Sequence, residues 1–490
     1  MGTNVLQTTI GYVSDPWNVP VPVRTAEFVP LKPRDERFNI QCDPARVEPF
    51  AFTSRYVAAR DLLYSDLQTN GDHNSPAHLG SGRSGFFAGR YLKGVGRTPL
   101  AANWNDRGDV YHGSGHLFPS AAAREYLISC ALDARGLGDA INGCDGLLVA
   151  TAPVGTLMRS MIKSSAHIFR ARAAACDMRL AAITTKPSHF ARPSNFIWSL
   201  NHYSPDRAYV ASFLTRLFYY LQPKAGAVDQ SALTPRTIAD ALSSAVERAL
   251  GNFRAYLKLG LYWGSFHNNF TLDGRFLDIE LPLFLGRPFI GVLDMGTRPL
   301  KPYDAWMGGP IMGFDVQHYL HQMRYFLLFL RARIQFILSA RLARGTARDF
   351  LRDFLRELRR RFDPSSILFS AAAQERLTLA MLNEVFDLSS AQQTLLRKLI
   401  HVKRLSLENL PGPAHSPVRL KRIKLPLANI EPGLAVNLYG IDGLPEFEPA
   451  LSPDAERLNQ GLIQIERETD PHGFLEEVRS TEHRIRAQAA

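Results

Sequence analysis

A lysine, a glutamate, a pair of asparagines and an aspartate are the residues of this sequence best placed to do chemistry. Lys93 stands in "GRYLKGVGRTPL", residues 89–100, directly after a first glycine-rich run, "LGSGRSGFFAG", residues 79–89. Glycines such as Gly80, Gly82, Gly94 and Gly96 let a backbone come close to a ligand, and a lysine among them is a natural partner for a phosphate. Glu125 follows 32 positions later, in "SAAAREYLIS". A carboxylate there could orient the lysine toward nucleotide phosphates. Further on, "WGSFHNNFTLDGRFLDIE" carries His267, Asn268 and Asn269, then Asp278 nine positions after Asn269. An asparagine from a loop and an aspartate after a short hairpin offer oxygen ligands that suit Mg²⁺ (or Mn²⁺). Each piece also has an ordinary reading. These are a strand–turn–strand with a solvated lysine, an exposed helix carboxylate beside Arg124, and a plain turn at Asn268–Asn269. Their joint order is that of a site for ATP and magnesium.

Such a site needs strands and one helix to hold it. Aromatic and β-branched residues around "FFAGRYLKGVG" predict paired strands, with Lys93 on one of them. The segment "PSAAAREYLISCALDARG", residues 119–136, predicts the helix that carries Glu125. Ser120 reads as its N-cap, and Gly136 follows Arg135 as its terminator. "DGLLVATAPV" and "MRLAAITTKPSHF" predict further strands, residues 51–68 a helix, and "TNGDHNSPAHLGSGRSG" a loop. After residue 203 the pattern turns helical, through "SPDRAYVASFLTRLFYYLQ" and "TPRTIADALSSAVERALGNFRAYLKLG". Asp273–Gly274, flanked by apolar residues, predicts a hairpin. Residues 315–405 read as largely helical, and "PHGFLEEVRSTEHRIRAQ" as a charged last helix. The expected division is a wrapping segment 1–50, a first lobe 51–202, a helical lobe 203–405 holding the hairpin 263–280, and an extension 406–490. The expected fold is α+β and protein-kinase-like. It has two lobes, a β-rich N-lobe with one helix and a mainly helical C-lobe, with nucleotide held between them.

Composition narrows the partners. The net charge of +11 favours anionic ligands, but much of it is arginine in "RARIQFILSARLARGTARDFLRDFLRELRRRF", residues 331–362. A solvated or partner-binding helix face accounts for that run. No zinc-finger spacing or RNP-like aromatic motif accompanies it, so nucleic acid is not an expected partner. Cys42, Cys130, Cys144 and Cys176 form no CxxC and read as reduced thiols of a cytoplasmic protein. The first residues lack the basic and apolar regions of a secretory signal, and Leu6 stands where a myristoylation motif wants Ser or Thr. Arg331 and Arg333 interrupt "YFLLFLRARIQFILSARLA", which therefore reads as a buried or amphipathic helix and not a membrane span.

The run "LGSGRSGFFAGRYLKGVGRTPL", followed by "SAAAREYLIS", resembles the protein adenylyltransferase family of selenoprotein O (SelO). That family carries a GDGR, then LKGxGxTPYSR, a second GDGR, and S-x-x-RE-x-L-x-S on the lobe helix. "KPSHFARPSNF", residues 186–196, resembles its R-x-x-PSHxRxGxFE segment, and "WGSFHNNFTLDGRFLDIELP" its HGVMNTDNMSLxGxxxDYGPF. The ordered matches run from about residue 79 to 280. The resemblance implies a kinase-like fold that binds ATP in a flipped orientation and transfers AMP to protein hydroxyls. Lys93 and Glu125 would be the phosphate-orienting ion pair, and Asn269 and Asp278 the metal ligands. Asn268 would fall where the family has the aspartate that acts as base, with His267 beside it as a stand-in.

Departures from the family's pattern are equally specific. Both GDGR motifs lack their acid, becoming "GSGR" with Arg83 and "GSGH" at 113–116. An insertion near 101–119 lengthens the interval from Lys93 to Glu125. Thr184 and Ala191 fall near the family's two phosphate-gripping arginines, with Lys186 and Arg192 adjacent as substitutes. No cysteine follows Cys176, so the family's late selenocysteine or cysteine has no counterpart. The expectation is an ATP- and Mg²⁺-dependent adenylyltransferase acting on a protein or peptide acceptor. The acceptor group is a hydroxyl, or a carboxylate that needs no base. The alternative is a catalytically dead kinase-like scaffold that binds a partner protein.

Overall fold

The computed structural model describes residues 26–30, 78–79, 84–87, 90–93, 119–141, 143–150, 179–184, 234–262, 283–294, 311–341, 344–407, 420–425, 436–444, 451–467 and 471–489, with positions 270, 275, 276 and 279 between them. The chain divides into two compact units. The first comprises residues 1–233, 275–280 and 460–490, and the second comprises 234–274 and 281–459.

The first unit is built on an antiparallel sheet. Strands β1 (Ala26–Pro30), β2 (His78–Leu79), β3 (Ser84–Phe87) and β4 (Arg90–Lys93) are followed by helix α1 (Pro119–Ala134), then by β5 (Cys144–Ala150) and β6 (Arg179–Thr184). The spatial order is β1-β5-β6-β4-β3-β2. Only Ala88 and Gly89 separate β3 from β4, and Phe87 pairs with Arg90 across them, the spacing of a tight hairpin. β4 then pairs with β6 rather than with β5, its neighbour in sequence. β5 shifts register between Cys144 and Gly146 against β6.

α1 packs on β5 and β6. It is buried from Ala122 through Leu132, because small residues on every face let neighbours close in all round. Pro119 opens the helix, where its fixed φ is already helical, so Ser120 sits inside the first turn and is not the N-cap that its type suggests. Gly136 ends it as expected, with φ +73°. The amide of Gly136 donates to Asp133 O at 2.9 Å, and that of Leu137 to Leu132 O at 2.9 Å, a Schellman closure.

The second unit is mainly helical. α2 (Pro235–Leu259) starts at a capping box, in which Thr234 and Thr237 satisfy each other's backbone amides. It stops at Gly260, φ +65°. A Cβ there would meet Arg287 O at 2.1 Å, so both the dihedral and the space demand glycine. β7 (Leu261–Tyr262) pairs with β8 (Leu283–Phe284). β9 (Gly291–Asp294) and β10 (Ile311–Met312) lead into α3 (Asp315–Ser339), α4 (Gly345–Arg361), α5 (Ala371–Phe386) and α6 (Ser390–Leu407). β11 (Leu420–Leu425) and β12 (Val436–Ile441) then return to form a sheet of order β10-β9-β12-β11. Residues such as Tyr262, Phe289, Val292, Phe314, Leu396 and Leu438 join these elements in one apolar core.

Two helices follow. α7 (Pro453–Arg467) contains the boundary between the units, and α8 (Pro471–Ala489) belongs to the first unit, where it packs along α1.

Candidate functional site

Lys93 ends β4, opposite Ser84 of β3 and Ala182 of β6. It therefore stands one strand away from α1, which packs on β6. On α1, Glu125 is only 2% exposed and Arg124 only 5%. The reading of Glu125 as an exposed carboxylate is overturned. Carboxylates are rarely buried this far unless they are paired, because an isolated charge in a low-dielectric interior costs several kcal/mol.

The backbone around Glu125 is fixed by a hydroxyl relay. Ser129 Oγ donates to Glu125 O at 2.6 Å and accepts from the Cys144 amide at 2.9 Å, which ties the middle of α1 to the start of β5. Gly143 adjoins this tie: a Cβ there would lie 3.5 Å from Ser129 Oγ.

Of the stretch expected to hold a metal, residues 270, 275, 276 and 279 are described. Phe270, next to Asn269, is 3% exposed. Its ring meets Tyr319 of α3 edge-on at 4.7 Å, and Tyr319 in turn lies 5.6 Å from Phe253 of α2. Aromatic pairs in this range contribute about 0.5–1.5 kcal/mol beyond their buried area. Phe276 and Ile279 belong to the first unit. Phe276 bridges Ile141 in parallel, its amide donating to Ala140 O at 3.1 Å. Ile279, which follows Asp278, is fully buried.

The positions of Gly80, Gly82, Arg83, Gly94, Gly96, Lys186, Arg192, His267, Asn268, Asn269 and Asp278 lie outside the described residues, as do residues 101–118 of the insertion. Of the expected site, the structure therefore places the backbone of Lys93 and the whole of Glu125. Among the described residues no group of three His, Cys, Asp or Glu side chains is arranged to hold a metal ion. Among them also, no helix is long and apolar enough to cross a membrane.

Sequence reasoning missed the contribution of α8. Tyr126, beside Glu125, is fully buried and donates to Glu482 Oε2 at 2.7 Å. Burial raises the Tyr126 pKa far above the usual phenol value, so the hydroxyl keeps its proton. The alanines before Arg124 and the apolar run after Tyr126 were the available signal that this stretch of helix has no solvent face.

No family model matches the chain, and no curated protein is significantly similar to it.

Proposed function

We propose that the chain is a SelO-like, ATP- and Mg²⁺-dependent adenylyltransferase with a kinase-like bilobal fold, acting on a protein or peptide hydroxyl or carboxylate. One observation carries the reading. A lysine on the third strand of the run β2, β3, β4 is followed by a helix with a buried glutamate, and that helix packs on the strand paired beside the lysine's own. A strand lysine oriented by a helix glutamate is the pair that kinase-type sites use on nucleotide phosphates. Asn269 and Asp278 would hold Mg²⁺, which would supply positive charge against the nucleotide phosphates. Gly80, Gly82, Gly94 and Gly96 would let the backbone approach the nucleotide. Arg83, Lys186 and Arg192 would neutralise the remaining phosphate charge. Asn268 cannot take a proton as a carboxylate does, so the acceptor is either activated by His267 or is a carboxylate that is already deprotonated. A cytoplasmic location fits the free thiols of Cys130 and Cys144.

The test is label transfer from ATP marked at the α- or the γ-phosphate, with Lys93→Ala and Asp278→Ala as controls. Covalent α-label that is lost in both variants is the expected result. γ-Label would make the protein a kinase instead. Neither label, with no thermal shift on adding ATP, would overturn the reading.

A second reading rests on α4. Asp349, Asp353 and Glu357 pair with Arg352, Arg356 and Arg360 along its exposed face, and Arg344 and Arg348 extend the basic stripe. On the neighbouring helix α3, Tyr325, Leu328 and Phe336 are about half exposed. An arginine-rich helix face and exposed apolar side chains suit a scaffold that docks a protein partner.

A further inference from the structure

The helix that carries Glu125 is held by a segment more than 300 residues later in the chain. Tyr126 Oη donates to one carboxylate oxygen of Glu482 on α8. The other oxygen accepts from Arg486 Nε at 2.8 Å, one turn along α8. Arg486 Nη1 then lies 3.6 Å from Asp133 Oδ2, back on α1. The contacts thus leave α1 at Tyr126 and return to it two turns later. Cys130, one turn from Tyr126, is fully buried in the stretch they span. Burial and the Glu482 carboxylate both push its thiol pKa up. α8 is itself seated firmly: Phe474, Val478, Thr481 and Ile485 form a buried stripe at helical spacing. Gly461 of α7 approaches Thr481 so closely that a Cβ would meet its Cγ2 at 2.7 Å.

We infer that Tyr126 and Glu482 are positioning residues. Their bond sets where α1 lies on β5 and β6, and so where the adjacent Glu125 lies. The inference rests on the reading of Glu125 as the partner of a phosphate-binding lysine. A helix that must present one carboxylate to a strand lysine is sensitive to shifts of about 1 Å, which cost on the order of a hundredfold in rate when they misplace reacting groups. Tyr126 is a better point of control than Glu125 itself, because it touches α8 and not the nucleotide.

Two readouts test this on the full-length protein. The first is the rate at which iodoacetamide alkylates Cys130, followed by peptide mass spectrometry so that Cys42, Cys144 and Cys176 are scored separately. Tyr126→Phe and Glu482→Ala should each speed it by about tenfold, the worth of one charge-assisted hydrogen bond. Glu482→Gln keeps an acceptor for the tyrosine but loses the charge that raises the Cys130 thiol, so it should restore only the part of the protection that comes from the hydrogen bond. The second readout is kcat and KM for α-label transfer. The two disruptive variants should lower kcat by about tenfold with KM for ATP little changed, and Glu482→Gln should recover it.

An unchanged alkylation rate in folded variants overturns the inference. Faster alkylation with normal kcat overturns it as well, because α1 would then be loosened without any effect on Glu125. If the wild-type protein transfers no label and shows no thermal shift with ATP, the functional reading fails. The hold of α8 on α1 is then judged by alkylation alone.

Discussion

Glu125 shows how far residue chemistry can be read before a fold is known. Its type and its place on the one strong helix after Lys93 suggested an orienting carboxylate, while Arg124 beside it suggested a solvated face. Burial removes the solvated face, since both residues are enclosed. If Glu125 orients the lysine, Glu125→Gln should cost on the order of a hundredfold in kcat for α-label transfer, with little change in melting temperature. A variant that melts early yet turns over normally would return Glu125 to a structural role. Asn268 sits at the other extreme. If the acceptor is a carboxylate, Asn268→Ala should lower turnover by less than about threefold, since no proton has to be removed. A large loss would rule out the carboxylate acceptor.

Among the elements, α2 was legible from end to end, because its stops are local. Thr234, Pro235 and Gly260 each act within one turn of themselves. Gly136 was legible for the same reason. The two glycines should differ when substituted. Gly136 has open space around its missing Cβ, so Gly136→Ala carries mainly the left-handed backbone term, about 1–2 kcal/mol. Gly260→Ala adds a collision with the backbone of Arg287 and should cost several kcal/mol more. Urea melts of the two variants, side by side, check the ranking.

Arg331 was legible only as an interruption of an apolar helix. In the structure its guanidinium donates to Leu358 O at 2.8 Å and to Phe362 O, and it lies 4.8 Å from the centre of the Phe369 ring. It serves the Phe362 carbonyl beyond the end of α4 and adds to that of Leu358, which also accepts the Phe362 amide, a partnership that no local pattern could name. The strands β11 and β12 were missed because β12 pairs with β9, far away in sequence, and a proline-containing stretch carries little periodicity of its own.

For the whole molecule, the clearest electrostatic consequence lies in the second unit. Lys403 is 2% exposed, and burial lowers its pKa to about 8, opposed by the nearby Asp315 carboxylate. An unfolded lysine keeps its proton to about pH 10.4. Between these values the unfolded chain binds more protons than the folded one, so stability should rise as pH rises from 8 toward 10. The cost of charging Lys403 is fully present below pH 8 and is relieved above it. Denaturant midpoints of wild type and Lys403→Met, measured from pH 7.5 to 9.5, should therefore change relative to each other, the wild type gaining over the variant. Parallel profiles would mean that the lysine is hydrated in solution.

The bond between Tyr126 and Glu482 also has a meaning in time. Ribosomes add about 5–20 residues per second, so α1 has left the exit tunnel for roughly half a minute before α8 exists. Throughout that interval the nascent chain shows a helix with small and apolar residues on every side and no final neighbour to cover it. Chaperones bind surfaces of that kind. A translation arrest placed before residue 471 should leave Cys130 reactive in the stalled chain, and release of the complete chain should silence it.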